Sequence, residues 1–194
     1  MAFFRTASFG ETLPVIAGAG VSLRIPQPSD YSAWASLREQ SRAFLTPWEP
    51  VWPADDLSRS AFRRRVKRYI EDQRNDLAYA FLIFRTADDA LLGGLTLANI
   101  RRGVAQAGSI GYWIGQPFAR KGYMTAALRA LIPFSFSTLR LHRLEAACIP
   151  TNAASIALLK KTGFQHEGYA RGYLCINGSW QDHLLYARLQ DDAD

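Results

Sequence analysis

An Asn-Gly pair, Asn177-Gly178, separates two runs of strand character, Tyr169–Ile176 and Ser179–Arg188. Asn and Gly tolerate the positive φ of a type I′ turn, whose twist matches that of flanking strands. The pair predicts a C-terminal β-hairpin, so the fold must supply a sheet for it to join. Upstream, strand and helix periods alternate. Val21–Ile25, Ala78–Phe84, Leu91–Leu97, Ser109–Ile114 and Arg143–Ile149 read as strands, with a turn at Ala87–Asp89 joining the second and third. Helices are predicted from a cap at Ser29 or Asp30 to about Arg42, over Asp55–Asp72, from Gly122 to about Thr138, and over Ala153–Lys161. Pro133 must kink or shorten the third helix, and Gly163 stops the fourth. Phe44–Pro53, FLTPWEPVWP, has three prolines, two tryptophans and no period, and reads as a loop.

This pattern implies a mixed α/β (α+β) fold, with a mostly antiparallel central sheet of six to seven strands flanked by helices. Its 194 residues suit one domain, 1–194, with 1–20 as an N-terminal extension. Hydrophobic residues at 48% and charged ones at 21% exclude a disordered chain. No apolar run reaches the roughly 18 residues of a membrane span. Glu11 and Pro14 interrupt the apolar N-terminus, so no secretory signal is expected. Cys148 and Cys175 are too few for a disulfide framework or a zinc site. The expectation is a cytoplasmic protein without a metal.

The net charge of +6 has a local origin. Arg59–Arg68, RSAFRRRVKR, holds six basic residues and no acidic one; without them, 17 basic residues balance 17 acidic ones. The run is either the solvated face of an amphipathic helix, offset by Glu71, Asp72 and Asp76, or a contact for RNA or an acidic protein surface through Arg63, Arg64 and Arg65.

Two stretches could carry chemistry. In Ile110–Leu128, IGYWIGQPFARKGYMTAAL, a strand passes through Arg120, Lys121 and Gly122 directly into a helix. A helix N-terminus presents backbone N–H groups to an anion, and Gly122 lets a phosphate approach closely. Thr125 adds a hydroxyl in the first turn. The same residues also serve a plain strand–helix connection with two solvated cations. In Arg143–Phe164, Asn152 stands three residues before Ser155 at a helix start, the spacing of an N-cap. Glu145 lies in a strand of small and apolar residues. It is either a core-edge carboxylate paired with an arginine or a general base.

Taken in order with FLTPWEP (Phe44–Pro50), EGYARGYL (Glu167–Leu174) and INGSWQDH (Ile176–His183), these stretches resemble the GNAT superfamily of acetyl-CoA-dependent N-acetyltransferases. The ribosomal-protein-alanine branch is the most similar, and the resemblance spans about Val21 to Arg188. It implies acetyl-CoA as cofactor, with the pyrophosphate loop on Ala119–Met124 (Arg120, Lys121, Gly122, Tyr123 and Met124) and Thr125 beside it. It also implies pantetheine added as a strand along Trp113 and Ile114, Asn152 bonded to the pantetheine, Ser155 near the sulfur, and Glu145 where some relatives carry a glutamate base. The chain departs from the pattern at Ala119, Arg120 and Met124 of the loop. Leu159 stands where a tyrosine acid often lies seven residues after the asparagine, which passes the acid role to Ser155. Leu174 stands where some relatives carry a glutamate.

Acetyl transfer to an α-amine asks less of a base than transfer to lysine. An α-amino group near pKa 7.7–8.0 is about one-tenth neutral at pH 7. The resemblance therefore implies a protein N-terminus as substrate, an N-terminal alanine of a ribosomal protein, with the ribosome as a partner. Substrate selection is expected from Trp48, Glu49 and Trp52 and from the Asn177-Gly178 hairpin. Core capping by the tryptophans and an ion pair for Glu49 are the competing readings. The rival functions are a small-molecule amine acetyltransferase, a non-catalytic acyl-CoA sensor and an RNA-binding module.

Overall fold

The computed structural model describes residues 15–192. The interrupting Glu11 and Pro14 lie outside them. Eight strands form one sheet: β1 (Ile16–Gly18), β2 (Val21–Arg24), β3 (Tyr79–Arg85), β4 (Leu91–Arg101), β5 (Ala107–Ile114), β6 (Arg143–Cys148), β7 (Gln165–Ile176) and β8 (Ser179–Leu189). Their order is β1-β2-β3-β4-β5-β6-β8-β7. Neighbours are antiparallel except β5 and β6, which run parallel. β1, within the stretch assigned to an N-terminal extension, adds an edge to the seven strands legible in the sequence. Asn177 and Gly178 both have positive φ and close the β7–β8 hairpin.

Five α-helices cover the sheet: α1 (Tyr31–Gln40), α2 (Arg42–Leu45), α3 (Arg59–Arg74), α4 (Tyr123–Pro133) and α5 (Ala153–Lys161). On one face, Ala127, Leu128, Leu131 and Ile132 of α4 and Leu159 of α5 pack on Phe81, Ile83, Leu95, Leu144 and Tyr186. On the other, Trp34 and Leu37 of α1 and Phe62 and Val66 of α3 pack on Leu82, Phe84 and Leu91. Leu159, where a tyrosine acid often stands, is a fully buried core side chain.

Several boundaries differ from expectation for local reasons. Asp30 is the N-cap residue of α1, at an expected position, but its side chain does not bond the helix; its carboxylate accepts instead from the Gln27 N–H at 2.7 Å and from the fork of Arg24. The helix expected from Asp55 begins at Arg59, because Ser58 supplies the cap by accepting from the Ala61 N–H. Asp55 and Asp56 instead pair with Arg64 and Arg65, so these carboxylates offset the basic run. Asp76 pairs with Arg102. Part of the loop expected at Phe44–Pro53 is helical, with Phe44 and Leu45 ending α2 and a 3-10 turn at Thr46–Trp48. Past Pro133, the backbone continues as a π-helical turn, Phe134–Thr138. No helix among the described residues is long and apolar enough to cross a membrane.

Candidate active site

The parallel pair β5–β6 keeps its register for three residues, ending at Ser109 opposite Glu145. Beyond that point the arms part, β5 remaining paired with β4 to Ile114 and β6 with β8 to Cys148. The result is a fork open toward the C-terminal ends of both strands. Gly115 donates its N–H to the Leu92 carbonyl at 2.8 Å. Ladder alternation then turns the Trp113 backbone toward β4, and the N–H and C=O groups of Tyr112 and Ile114 into the fork. An extended chain with amides could add here as a strand.

At the open end stands the N-terminus of α4. Gly122, the N-cap residue, has φ 83°, a left-handed conformation that glycine adopts at least cost, and Arg120 has φ 60°. No side chain caps the helix, and its first backbone bond runs from the Ala126 N–H to the Gly122 carbonyl. The N–H groups of Tyr123, Met124 and Thr125 therefore have no partner within the helix, which is the geometry of an anion site. Arg120 and Lys121 are exposed beside it. Ser41, buried between α1 and α2, accepts from the Gln116 N–H at 2.9 Å and fixes the loop that leads there.

The other arm leads to α5. Asn152 caps that helix, its side-chain oxygen accepting from the Ser155 N–H at 3.0 Å. This turns the Ser155 hydroxyl toward β5, where it lies 2.6 Å from the Tyr112 hydroxyl. Burial pushes the Tyr112 phenol well above its ordinary range, against a smaller lowering by Ser155. Burial likewise raises the Cys148 thiol, which a hydrogen bond with Ser155 lowers in part. Tyr112 thus stays protonated at neutral pH, its half-buried hydroxyl in contact with that of Ser155, and either hydroxyl can donate to the other. Sequence reasoning misses Tyr112. Its partner lies 43 residues on, and only the parallel pairing of β5 with β6, which ends at Ser109 opposite Glu145, brings the two arms side by side.

Glu145 does not join this group. The core packing of Leu144, Ala146 and Cys148 on the α4–α5 face puts Glu145 on the opposite face, at the base of the fork. Arg101 holds its Oε2, and Arg143 holds its Oε1 at 3.0 Å while also engaging Glu167. Of the two readings, the arginine-paired carboxylate is the one seen.

On that same face, Trp113 packs beneath α1, where Gly94 leaves room for the indole; a Cβ at that position would collide with it. Arg38, 6% exposed, stacks on Trp52 and Trp113 at 4.1 and 4.9 Å. Its two terminal nitrogens bind both oxygens of Glu49 at 2.7 Å, and the Trp52 indole N–H donates to the same carboxylate at 2.7 Å. Glu49 is therefore locked in an ion pair, and Trp52 covers that pair. Trp48 remains partly exposed. The tryptophan loop and the hairpin turn meet, with the Asn177 N–H donating to the Glu49 carbonyl at 2.9 Å.

The family described as "Acetyltransferase (GNAT) domain" matches residues 21–165. The chain is 34% identical to "Probable N-acetyltransferase YjcK" of Bacillus subtilis (strain 168), over 93% of this chain and 99% of that one. It is 36% identical to the "[Ribosomal protein uS5]-alanine N-acetyltransferase" of Escherichia coli (strain K12), over 84% of this chain and 85% of that one. A solved structure of Mycobacterium smegmatis RimJ in complex with CoA-disulfide superposes with a TM-score of 0.86 at 30% identity, covering 95% of this chain and 90% of that one.

Proposed function

Because the chain belongs to the GNAT family of acetyltransferases, we propose that it transfers the acetyl group of acetyl-CoA to the α-amino group of a protein N-terminus, with the N-terminal alanine of a ribosomal protein as preferred substrate. The observation that carries this reading is the fork between β5 and β6, with an uncapped helix N-terminus at its mouth and the Tyr112–Ser155 pair across its arms. The fit to acetyl-CoA is specific to those parts. The outward-turned C=O of Tyr112 and the N–H and C=O of Ile114 match the amides of pantetheine, and the free N–H groups of Tyr123, Met124 and Thr125, with Arg120 and Lys121, match a pyrophosphate. When bound, acetyl-CoA supplies an activated acetyl thioester. The substrate class rests on the uS5-alanine N-acetyltransferase relative, which acts on a ribosomal protein by its name.

Each of the chain's own groups then has a task. The Tyr112 N–H stands where it can polarise a carbonyl oxygen in the fork. Ser155, backed by the half-buried Tyr112 phenol, delivers a proton to a departing thiolate. Asn152 orients Ser155 through the cap and keeps its amide N–H groups for the pantetheine. Trp48, Trp52 and the hairpin turn form the rim that a polypeptide N-terminus meets, with Glu49 holding the rim in shape. The ribosome is met by the exposed face of α3 at Arg63, since Arg64 and Arg65 already have carboxylate partners.

An acetyl-CoA turnover assay with a panel of amines tests the reading. Turnover of peptides with a free N-terminal alanine, and none of lysine side chains or polyamines, supports it. Preference for a small polyamine or antibiotic would replace it with the small-molecule reading, and acetyl-CoA binding without transfer to any amine would leave a sensor.

A further inference from the structure

Neither Ser155 nor Glu145 supplies a proton acceptor for the attacking amine. Ser155 is committed to the leaving group, and both Glu145 oxygens are held by arginines. A titratable side chain outside this set meets the requirement. His183 is 2% exposed on β8. Leu184 and Tyr186 of that strand pack into the α4–α5 core, so alternation turns His183 to the opposite face. That is the face of Trp113, of the tryptophan rim and of Gly111, where a Cβ would meet no heavy atom within 4 Å.

Register places His183 relative to the fork. Cys148, the last residue of β6 and so on the open side of the fork, pairs with Leu184 of β8. His183 thus lies one step toward the open end of the fork, one strand beyond β6, a lateral step of about 4.8 Å. A β7 irregularity between Ala170 and Leu174 carries Tyr173 over the imidazole, the rings meeting edge-on at 5.7 Å.

The ring's hydrogen bonding fixes its tautomer. His183 Nδ1 lies 2.9 Å from the Gln181 carbonyl, which can only accept. Nδ1 therefore carries the proton, and Nε2 of the neutral ring keeps its lone pair. Among the described residues, none is hydrogen-bonded to Nε2. A histidine buried with one nitrogen anchored and the other left as an acceptor is arranged to take a proton.

We propose that His183 is the proton acceptor for the substrate amine, directly or through one water, resting on the N-terminal acetyltransferase reading above. In the step, the amine nitrogen bonds to the acetyl carbon and loses a proton to His183 Nε2. The carbon–sulfur bond breaks, and the thiolate gains a proton from Ser155, which is re-protonated from solvent through Tyr112. His183 releases its proton to solvent, leaving an acetylated amine and a free thiol. Amine and thiolate exchange protons on opposite faces of the sheet, so the acceptor and the donor do not neutralise each other.

Two substitutions separate the base from the anchor. His183→Asn keeps an N–H for the Gln181 carbonyl and removes the Nε2 lone pair; His183→Gln places an amide near the Nε2 position. With a peptide bearing N-terminal alanine, both are expected to lower kcat by about a hundredfold or more, with KM for peptide and acetyl-CoA nearly unchanged. Added imidazole is expected to restore kcat of His183→Ala. Undiminished kcat in His183→Asn, a loss confined to KM, or failure of both variants to fold would overturn the assignment and make His183 structural. Wild-type protein that acetylates no N-terminal peptide would instead defeat the reading on which this one rests.

Discussion

The hydroxyls of Tyr112 and Ser155 lie 2.6 Å apart, one on each arm of the fork between β5 and β6. Each orients the other, and burial keeps the phenol protonated. In the proposed reaction the pair acts as one donor. Ser155→Ala and Tyr112→Phe are each expected to lower kcat by roughly tenfold to a hundredfold while leaving acetyl-CoA affinity nearly unchanged, and the double variant should lose little more than the worse single one. Steady-state kinetics with calorimetric acetyl-CoA binding checks this; additive losses would show that the two act separately.

Gly122 opens α4 at φ 83° with no atom in the way of a side chain. Gly122→Ala therefore introduces backbone strain and no clash, at a cost of about 1 kcal/mol. Relaxation of that turn would move the Tyr123, Met124 and Thr125 amides. The expected outcome is a several-fold higher KM for acetyl-CoA at nearly constant kcat, measured alongside the melting temperature.

The Arg38–Glu49 pair has side-chain exposures of 7% and 19% and sits under Trp52. Glu49→Ala leaves a buried guanidinium without its carboxylate, which costs about 3 kcal/mol in denaturant unfolding. Arg38→Met, which removes the charge and keeps the volume, should cost less than Glu49→Ala. The comparison distinguishes a structural ion pair from a carboxylate that binds substrate.

Burial pushes the Asp76 carboxyl up, but hydrogen bonds from Arg102 and Tyr79 outweigh it and hold the group below its ordinary 3.8. A depressed carboxylate contributes stability above its unfolded pKa and loses it as pH falls through the folded value. Wild-type stability should fall as pH drops below about 4. Asp76→Asn should be less stable at neutral pH, by about 1 kcal/mol after solvent screening, and should lose less on acidification. Melting temperature against pH checks both slopes.

What the sequence could reveal follows from how local each determinant is. Ala153–Lys161 is legible to the residue, because Asn152 caps it and Gly163 ends it. The Asn177-Gly178 turn is legible for the same reason. β1 is three residues, Ile-Ala-Gly, too short to show alternation, and exists because β2 offers it an edge. The start of α3 is ambiguous in the sequence because Asp55 and Asp56 look like first-turn acids, while their partners Arg64 and Arg65 lie nine residues away. Tyr112 and His183 are further still from local reading. One depends on the parallel register of β5 and β6, the other on β8 entering between β6 and β7.

The most direct measurement is mass spectrometry of the N-termini of purified, unacetylated ribosomal proteins after incubation with the enzyme and acetyl-CoA. A single acetyl group on the α-amine of a protein beginning with alanine, formed roughly tenfold to a hundredfold more slowly with Ser155→Ala under the same conditions, is the predicted result. Acetylation confined to lysine side chains, or no protein acetylation while a small amine is turned over, would contradict it.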